Sequence, residues 1–212
     1  MKLIAPAFIL GLSLFAFFGC KSSEGQPYHK QTEYKWSQNA CGAFSSAYFL
    51  AETGQISGSQ VVKTAKNIYS RIIFDPQAGF GEYSDPFKIV KEMSRYAASS
   101  TFKMNLSNPQ TGGEKLMSLF AKTMGTNEIE DIKDIESALK KGEYVIEVVS
   151  PVEVINLVNP MQNPLHYVLT YWKGDTLYTL DPGRGLEEPR SNFIDGTTTR
   201  WSFCNCGIFL SL

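Results

Sequence analysis

Histidine is almost missing from this chain: of 212 residues only His29 and His166 carry an imidazole, so chemistry that needs one has two candidates. Cysteine is scarce as well, with Cys20, Cys41, Cys204 and Cys206 making up the full set. Neither sign of charge predominates: 20 Lys and Arg against 21 Asp and Glu leave a net charge of −1, which argues against nucleic acid as the main partner. Charged residues are 19% of the chain, too few for a disordered tail protein. Gly and Pro, at 17 and 10, hold an ordinary share and no repeat period is present, which excludes collagen-like and solenoid architectures. No glycine-rich phosphate loop of the form GxxxxGK(S/T) occurs. What remains is a chain with 43% apolar residues, long enough for one domain with its own core.

The longest apolar stretch, Leu3 to Phe18, is 16 residues, short of the roughly 20 that a bilayer span needs. With Lys2 before it and Gly19-Cys20 after it, the stretch reads as a secretory signal over residues 1–19. The piece Phe17-Phe18-Gly19-Cys20 resembles the lipobox of bacterial lipoproteins, with Phe17 where that motif usually has Leu. The resemblance implies that Cys20 is the lipidated first residue of an extracytoplasmic, membrane-anchored protein. Lys21 after the cysteine implies an outer membrane where the cell has one. Residues 20–33 are polar, without apolar period, and read as a flexible tether that leaves His29 without a chemical role. The domain is then 34–212.

Apolar positions at threes and fours from Cys41 to Thr53, stopped by Gly54, predict a helix with Cys41 in its first turn. Further helices are expected over 59–70, from Pro86 to Ala97, over 114–123 and over 131–141. The second half changes character: 144–150, 165–172, 176–180 and 201–212 are rich in β-branched and aromatic residues between turn residues, which predicts strands. Helices first and an antiparallel sheet second make an α+β domain.

The hairpin around Trp172-Lys173-Gly174-Asp175 bears on the chemistry. With Lys173-Gly174 as a two-residue loop, His166 lies directly opposite Asp181, with Cβ atoms roughly 5 Å apart. With Gly174-Asp175 as the loop, Asp181 becomes a diagonal neighbour on the same face. Either register lets a carboxylate hold the imidazole, whereas an odd-length loop would break the pairing. At a helix start, a Cys41 thiolate is stabilised by the helix dipole and free N–H groups, and a nearby imidazolium adds to this. Such a pair attacks carbonyl carbon. Gly42 is expected to leave room for substrate backbone, and the Cys41 N–H with the Gln38 amide to receive the oxyanion.

The ordered set Gln38-Asn39-Ala40-Cys41-Gly42-Ala43-Phe44-Ser45, Leu165-His166-Tyr167-Val168 and Leu180-Asp181-Pro182 resembles the papain-like cysteine peptidases of the C39-like group. The piece Ala138 to Val149 is similar to the segment that precedes the histidine strand in that group, so the resemblance spans about 34–185. It implies a papain-like fold, helical half packed on antiparallel sheet, with Cys41 as nucleophile, His166 as base then acid, Asp181 as orienter and Gln38 as oxyanion donor. In that family the glutamine usually lies further upstream, where this chain has Lys35. The activity implied is a cysteine peptidase or amidase acting on a peptide or protein, as a monomer without cofactor or metal. A transferase using the same triad and an inactive peptide-binding lipoprotein are the alternatives. Cys204 and Cys206 read as buried thiols, Tyr167, Tyr171, Trp172 and Tyr178 as packing, and the loop 75–86 as a border of the cleft.

Overall fold

The computed structural model describes residues 28–75, 82–110, 112–124, 129–151, 165–194 and 201–212. The signal segment 1–19, Cys20 and residues 21–27 lie outside them, as do 76–81 of the Gly-rich loop.

The chain begins with helices α1 (Cys41–Glu52), α2 (Val61–Ile72) and α3 (Pro86–Met93), then strand β1 (Ser99–Met104), α4 (Gly112–Met124), β2 (Glu130–Asp131) and α5 (Ile135–Ala138). Strands β3 (Tyr144–Pro151), β4 (His166–Lys173), β5 (Thr176–Asp181) and β6 (Leu186–Pro189) follow, then α6 (Arg190–Ile194) and β7 (Trp201–Ser211). The strands form one seven-stranded sheet in the order β2-β1-β7-β3-β4-β5-β6, antiparallel except for β1 with β2. The protein is an α+β domain with helices concentrated in its first half. Among the described residues no helix is long and apolar enough to cross a membrane.

Helix α1 is the centre of the main core: Cys41 through Leu50 are all buried. A helix apolar all round is a core helix, and its two buried serines are absorbed by backbone acceptors. Ser46 donates to the Gly42 carbonyl at 2.8 Å, and Ser45 donates to the Tyr167 carbonyl on β4 at 3.1 Å. Tyr144, Ile146 and Val148 of β3 and Tyr167, Leu169 and Tyr171 of β4 meet α1 by the strand period of two. The opposite face carries two smaller clusters, around Val145 and Leu177 and around Val149 and Phe203. Between these, the fully buried Glu147 is held by Arg190 at 2.8 Å and by the Thr170 hydroxyl at 3.0 Å.

Three expectations are corrected. The helix expected over 131–141 is one turn, α5, because Asp134 caps it by accepting from Ser137 N and Leu139 already has extended backbone. Within the helix-dominated first half Ser99–Met104, given no element by the sequence, is a strand that pairs with the end of β7 and buries Phe102 and Met104. Residues 28–33, assigned by composition to a tether, are packed on the domain. Tyr28 meets Tyr48 edge to face at 5.5 Å and bonds Glu52 at 2.7 Å, and the Tyr48 hydroxyl donates to the His29 carbonyl. Of the loops the sequence left open, the β4–β5 hairpin takes Gly174-Asp175, because Lys173 pairs with Thr176. Gly174 has φ +60°, the value that the first central position of a type II′ turn requires and that Lys173 would adopt only with strain. Cys204 and Cys206 are free and buried in the main core, with the left-handed Asn205, φ 45°, between them.

Candidate active site

Cys41 is the first residue of α1 and only 6% exposed. The first intrahelical bond runs from Phe44 N–H to the Ala40 carbonyl, so the N–H groups of Cys41, Gly42 and Ala43 precede the helical ladder. His166 opens β4 and Asp181 closes β5, so the two lie together at the open end of the hairpin. The register makes Asp181 the diagonal neighbour rather than the direct one, and the side chains still meet: His166 Nε2 and Asp181 Oδ1 are 2.6 Å apart. The Cys41 side chain hydrogen-bonds the same imidazole. Three residues expected from the sequence to act together are in contact, although 125 positions separate Cys41 from His166.

Electrostatics follow from that geometry. Burial works against a charged His166, yet the hydrogen bonds to Asp181 and Cys41 and the charges of both raise its pKa to about 10. Burial likewise works against an ionised Asp181, but His166 and the Arg184 guanidinium outweigh it and hold the carboxyl at about 2. With Nε2 committed to Asp181, Nδ1 is the ring nitrogen left for the thiol.

Sequence reasoning missed the groups that hold Asp181. Gly183 N–H donates to Asp181 Oδ1 at 2.8 Å, and Arg184 Nε donates to Oδ2 at 2.7 Å while its second arm pairs with Glu188. A Cβ on Gly183 would lie 3.1 Å from Asp181 Oδ1 and 3.5 Å from the imidazole, so a side chain there would press on the carboxylate. The signal was visible, an arginine three residues beyond the aspartate across Pro182-Gly183, but only the fold shows where its fork points.

Gly42 does not make room for a substrate. A Cβ there would come within 2.8 Å of Ile89 Cδ1 and of Ser84 Cβ, so the missing side chain lets α1 pack against the start of α3. That segment is pinned beside Cys41 by Asp85 N–H to the Ile72 carbonyl at 2.7 Å and by the Tyr167 hydroxyl to the Ser84 carbonyl at 3.2 Å. The last residues of the 75–86 loop therefore border the nucleophile, while 76–81 lie outside the described residues.

Gln38 is exposed, and among the described residues its amide side chain has no hydrogen-bond partner. Its carbonyl accepts from the Gln31 amide at 2.9 Å. His29 lies in the packed segment, its Nδ1 3.4 Å from the Tyr34 hydroxyl, and has no bond to Cys41 or Asp181 among the described residues. Tyr167 and Tyr171 are buried in the core, Trp172 Nε1 donates to the Leu139 carbonyl at 2.8 Å, and the Lys173 ammonium sits 5.2 Å from the centre of the Tyr178 ring. These aromatics pack, as expected. Burial and the neighbouring Cys204 push the Cys206 thiol well up, which suits an inert core position.

No family model and no curated protein matches the chain. A solved structure, the crystal structure of the Pseudomonas avirulence protein AvrPphB, is similar over 81% of this chain and 90% of that one, with 12% sequence identity and a TM-score of 0.40. A likeness at that level carries no argument about the site.

Proposed function

We propose that the protein is a thiol hydrolase, a cysteine peptidase or amidase that cleaves a peptide or amide bond through an acyl-enzyme on Cys41. The observation that carries this reading is the joint hydrogen bonding of one imidazole by Cys41 and Asp181, with His166 Nε2 2.6 Å from Asp181 Oδ1. The division of labour, a cysteine on a helix start and a histidine with its aspartate on the sheet, is the one that the C39-like resemblance implies.

In this reading the Cys41 sulfur attacks the substrate carbonyl carbon and the oxyanion forms against the Cys41 N–H at the α1 start. The imidazolium then gives its Nδ1 proton to the leaving amine as the carbon–nitrogen bond breaks, which leaves a thioester. His166 takes a proton from water, whose oxygen attacks the thioester, and proton return to Cys41 releases the carboxylic acid. Asp181 keeps its charge and holds the ring throughout. Gln38 supplies the second oxyanion donor once its exposed side chain turns toward substrate. A peptide or protein is the substrate class, and the sequence of residues 1–21 adds an extracytoplasmic location with a lipid anchor on Cys20.

One observation favours the alternative of an inactive cleft that binds peptide: the Gln38 side chain makes no hydrogen bond among the described residues, so the second donor is not pre-formed. A transferase differs only in the acceptor that resolves the thioester, amine in place of water. Site-mapped alkylation with iodoacetamide separates the readings. The hydrolase requires Cys41 to label at least about tenfold faster than Cys204 or Cys206, and His166→Ala to abolish that advantage. Turnover of a peptide library must disappear in Cys41→Ala with the fold retained. Equal labelling of all three cysteines would leave the binding protein as the better reading.

A further inference from the structure

The two halves of the site come from distant parts of the chain, Cys41 from the start of a helix and His166 with Asp181 from a hairpin. Catalytic groups must be held within roughly 0.5 Å of working geometry, so something has to fix one half against the other. One residue outside the sequence motifs bonds to both, through its backbone on one side and its side chain on the other. The backbone N–H of Gln31 donates to the Pro182 carbonyl at 2.8 Å, one residue beyond Asp181. Its side-chain Nε2 donates to the Gln38 carbonyl at 2.9 Å, three residues before Cys41. Its own carbonyl accepts from the Ser37 hydroxyl, and Ala40 N–H closes the same turn onto the Ser37 carbonyl at 3.0 Å.

We infer that Gln31 is a positioning residue: its backbone N–H anchors it to the turn carrying Asp181, and its buried side-chain amide holds the turn feeding Cys41 to that anchor. The inference rests on the hydrolase reading of the site. Gln31 is 5% exposed, yet among the described residues its Oε1 has no hydrogen-bond partner. Burying an unpaired amide oxygen is unfavourable, so an apolar side chain of the same length would serve packing better. The polar residue makes sense through what its N–H groups hold in place. The segment that carries it is itself clamped, by Tyr48 to the His29 carbonyl and by Gly185, where a Cβ would reach 2.4 Å from the Tyr28 carbonyl oxygen. Residues 28–31 thus form a strap bonded to both turns.

The test substitutes Gln31→Met in the full-length chain, which keeps length and burial but removes the Nε2 donor. Two readouts report on the triad: the NMR titration of His166, whose only companion histidine is His29, and the His166-dependent alkylation of Cys41. Unfolding temperature reports on the fold. Positioning requires the His166 midpoint to fall by about one unit or more toward its ordinary 6.5, and the alkylation advantage to drop by about tenfold, with the unfolding temperature held within about 3 °C. A folded Gln31→Met protein with both readouts unchanged overturns the inference while leaving the hydrolase reading intact. If the wild type itself shows no His166-dependent reactivity, the hydrolase reading fails first. Should Gln31→Met not fold, Gln31→Asn keeps the amide but is too short to reach Gln38. A triad undisturbed in folded Gln31→Asn, or failure of both variants to fold, makes Gln31 a structural strut and refutes positioning.

Discussion

Arg184 offers a direct test of how the site is held together. Its Nε lies 2.7 Å from Asp181 Oδ2, its other nitrogen pairs with Glu188, and its guanidinium carbon lies 5.1 Å from the centre of the Phe193 ring. The Arg184 side chain is 28% exposed whereas that of Asp181 is 5% exposed, so the Asp181 bond is mostly shielded from water. Arg184→Met keeps the aliphatic stem and removes the charge. A hydrogen bond to a charged group contributes about 1.5–3 kcal/mol, and a half-exposed cation over a ring about 0.5–1 kcal/mol. The Glu188 pair sits nearer the surface and adds at most about 1 kcal/mol. The expected loss is about 2–5 kcal/mol, which in a domain of this size lowers the unfolding temperature by about 4–20 °C. Arg184→Lys should recover only part of it, because an ammonium cannot fork between Asp181 and Glu188. Thermal and urea unfolding followed by circular dichroism measure this. A loss below about 0.5 kcal/mol for Arg184→Met would show that solvent replaces the guanidinium and that Asp181 is held by Gly183 and His166 alone.

Other outcomes follow from the same contacts. His166 has its pKa raised to about 10, so its charged bond to Asp181 stabilises the fold fully below the ordinary histidine value of about 6.5 and fades as pH rises toward 10. The gap in unfolding temperature between wild type and His166→Gln should therefore be widest near pH 6 and shrink by pH 10, and a gap that grows with pH contradicts this. Gly42→Ala forces a methyl to within 2.8 Å of Ile89 and Ser84 and should cost about 1–3 kcal/mol by urea titration. Glu147→Met strands the buried Arg190 charge and should cost about 3–5 kcal/mol, whereas the double variant with Arg190→Met should regain most of it, read from the same titration.

The sequence was a good guide to elements whose burial is one-sided or complete over a long run. The helix at Cys41 and the strands around Tyr144, His166, Thr176 and Trp201 lie within a residue or two of expectation because their apolar periods are strong. It was a poor guide at short elements. The strand at Ser99–Met104 presents only Phe102 and Met104 to the core, too few to announce a period, and α6 is five residues long. The tether assignment failed at residues 28–33 for another reason: the Gln31 N–H and the Tyr28 hydroxyl find partners far along the chain, the Pro182 carbonyl and Glu52, which composition does not register. At Gly42 the missing side chain was assigned to a substrate when a neighbouring helix fills the space.

Local chemistry therefore determined which residues were available: one thiol at a helix start, an imidazole on a strand and a carboxylate on the next strand of the same hairpin, whose short turn leaves few registers. The tertiary fold decided the rest. The positive φ of Gly174 selected the register, and the packing of α1 on β4 through Ser45 and Tyr167 carried the thiol to the imidazole. Gly183 and Arg184 fixed Asp181, while Gln31 reached both turns at once. Periodicity records which face of an element is buried, but hydrogen bonds between distant segments depend on distances in space, and those exist only once the core has brought the segments together.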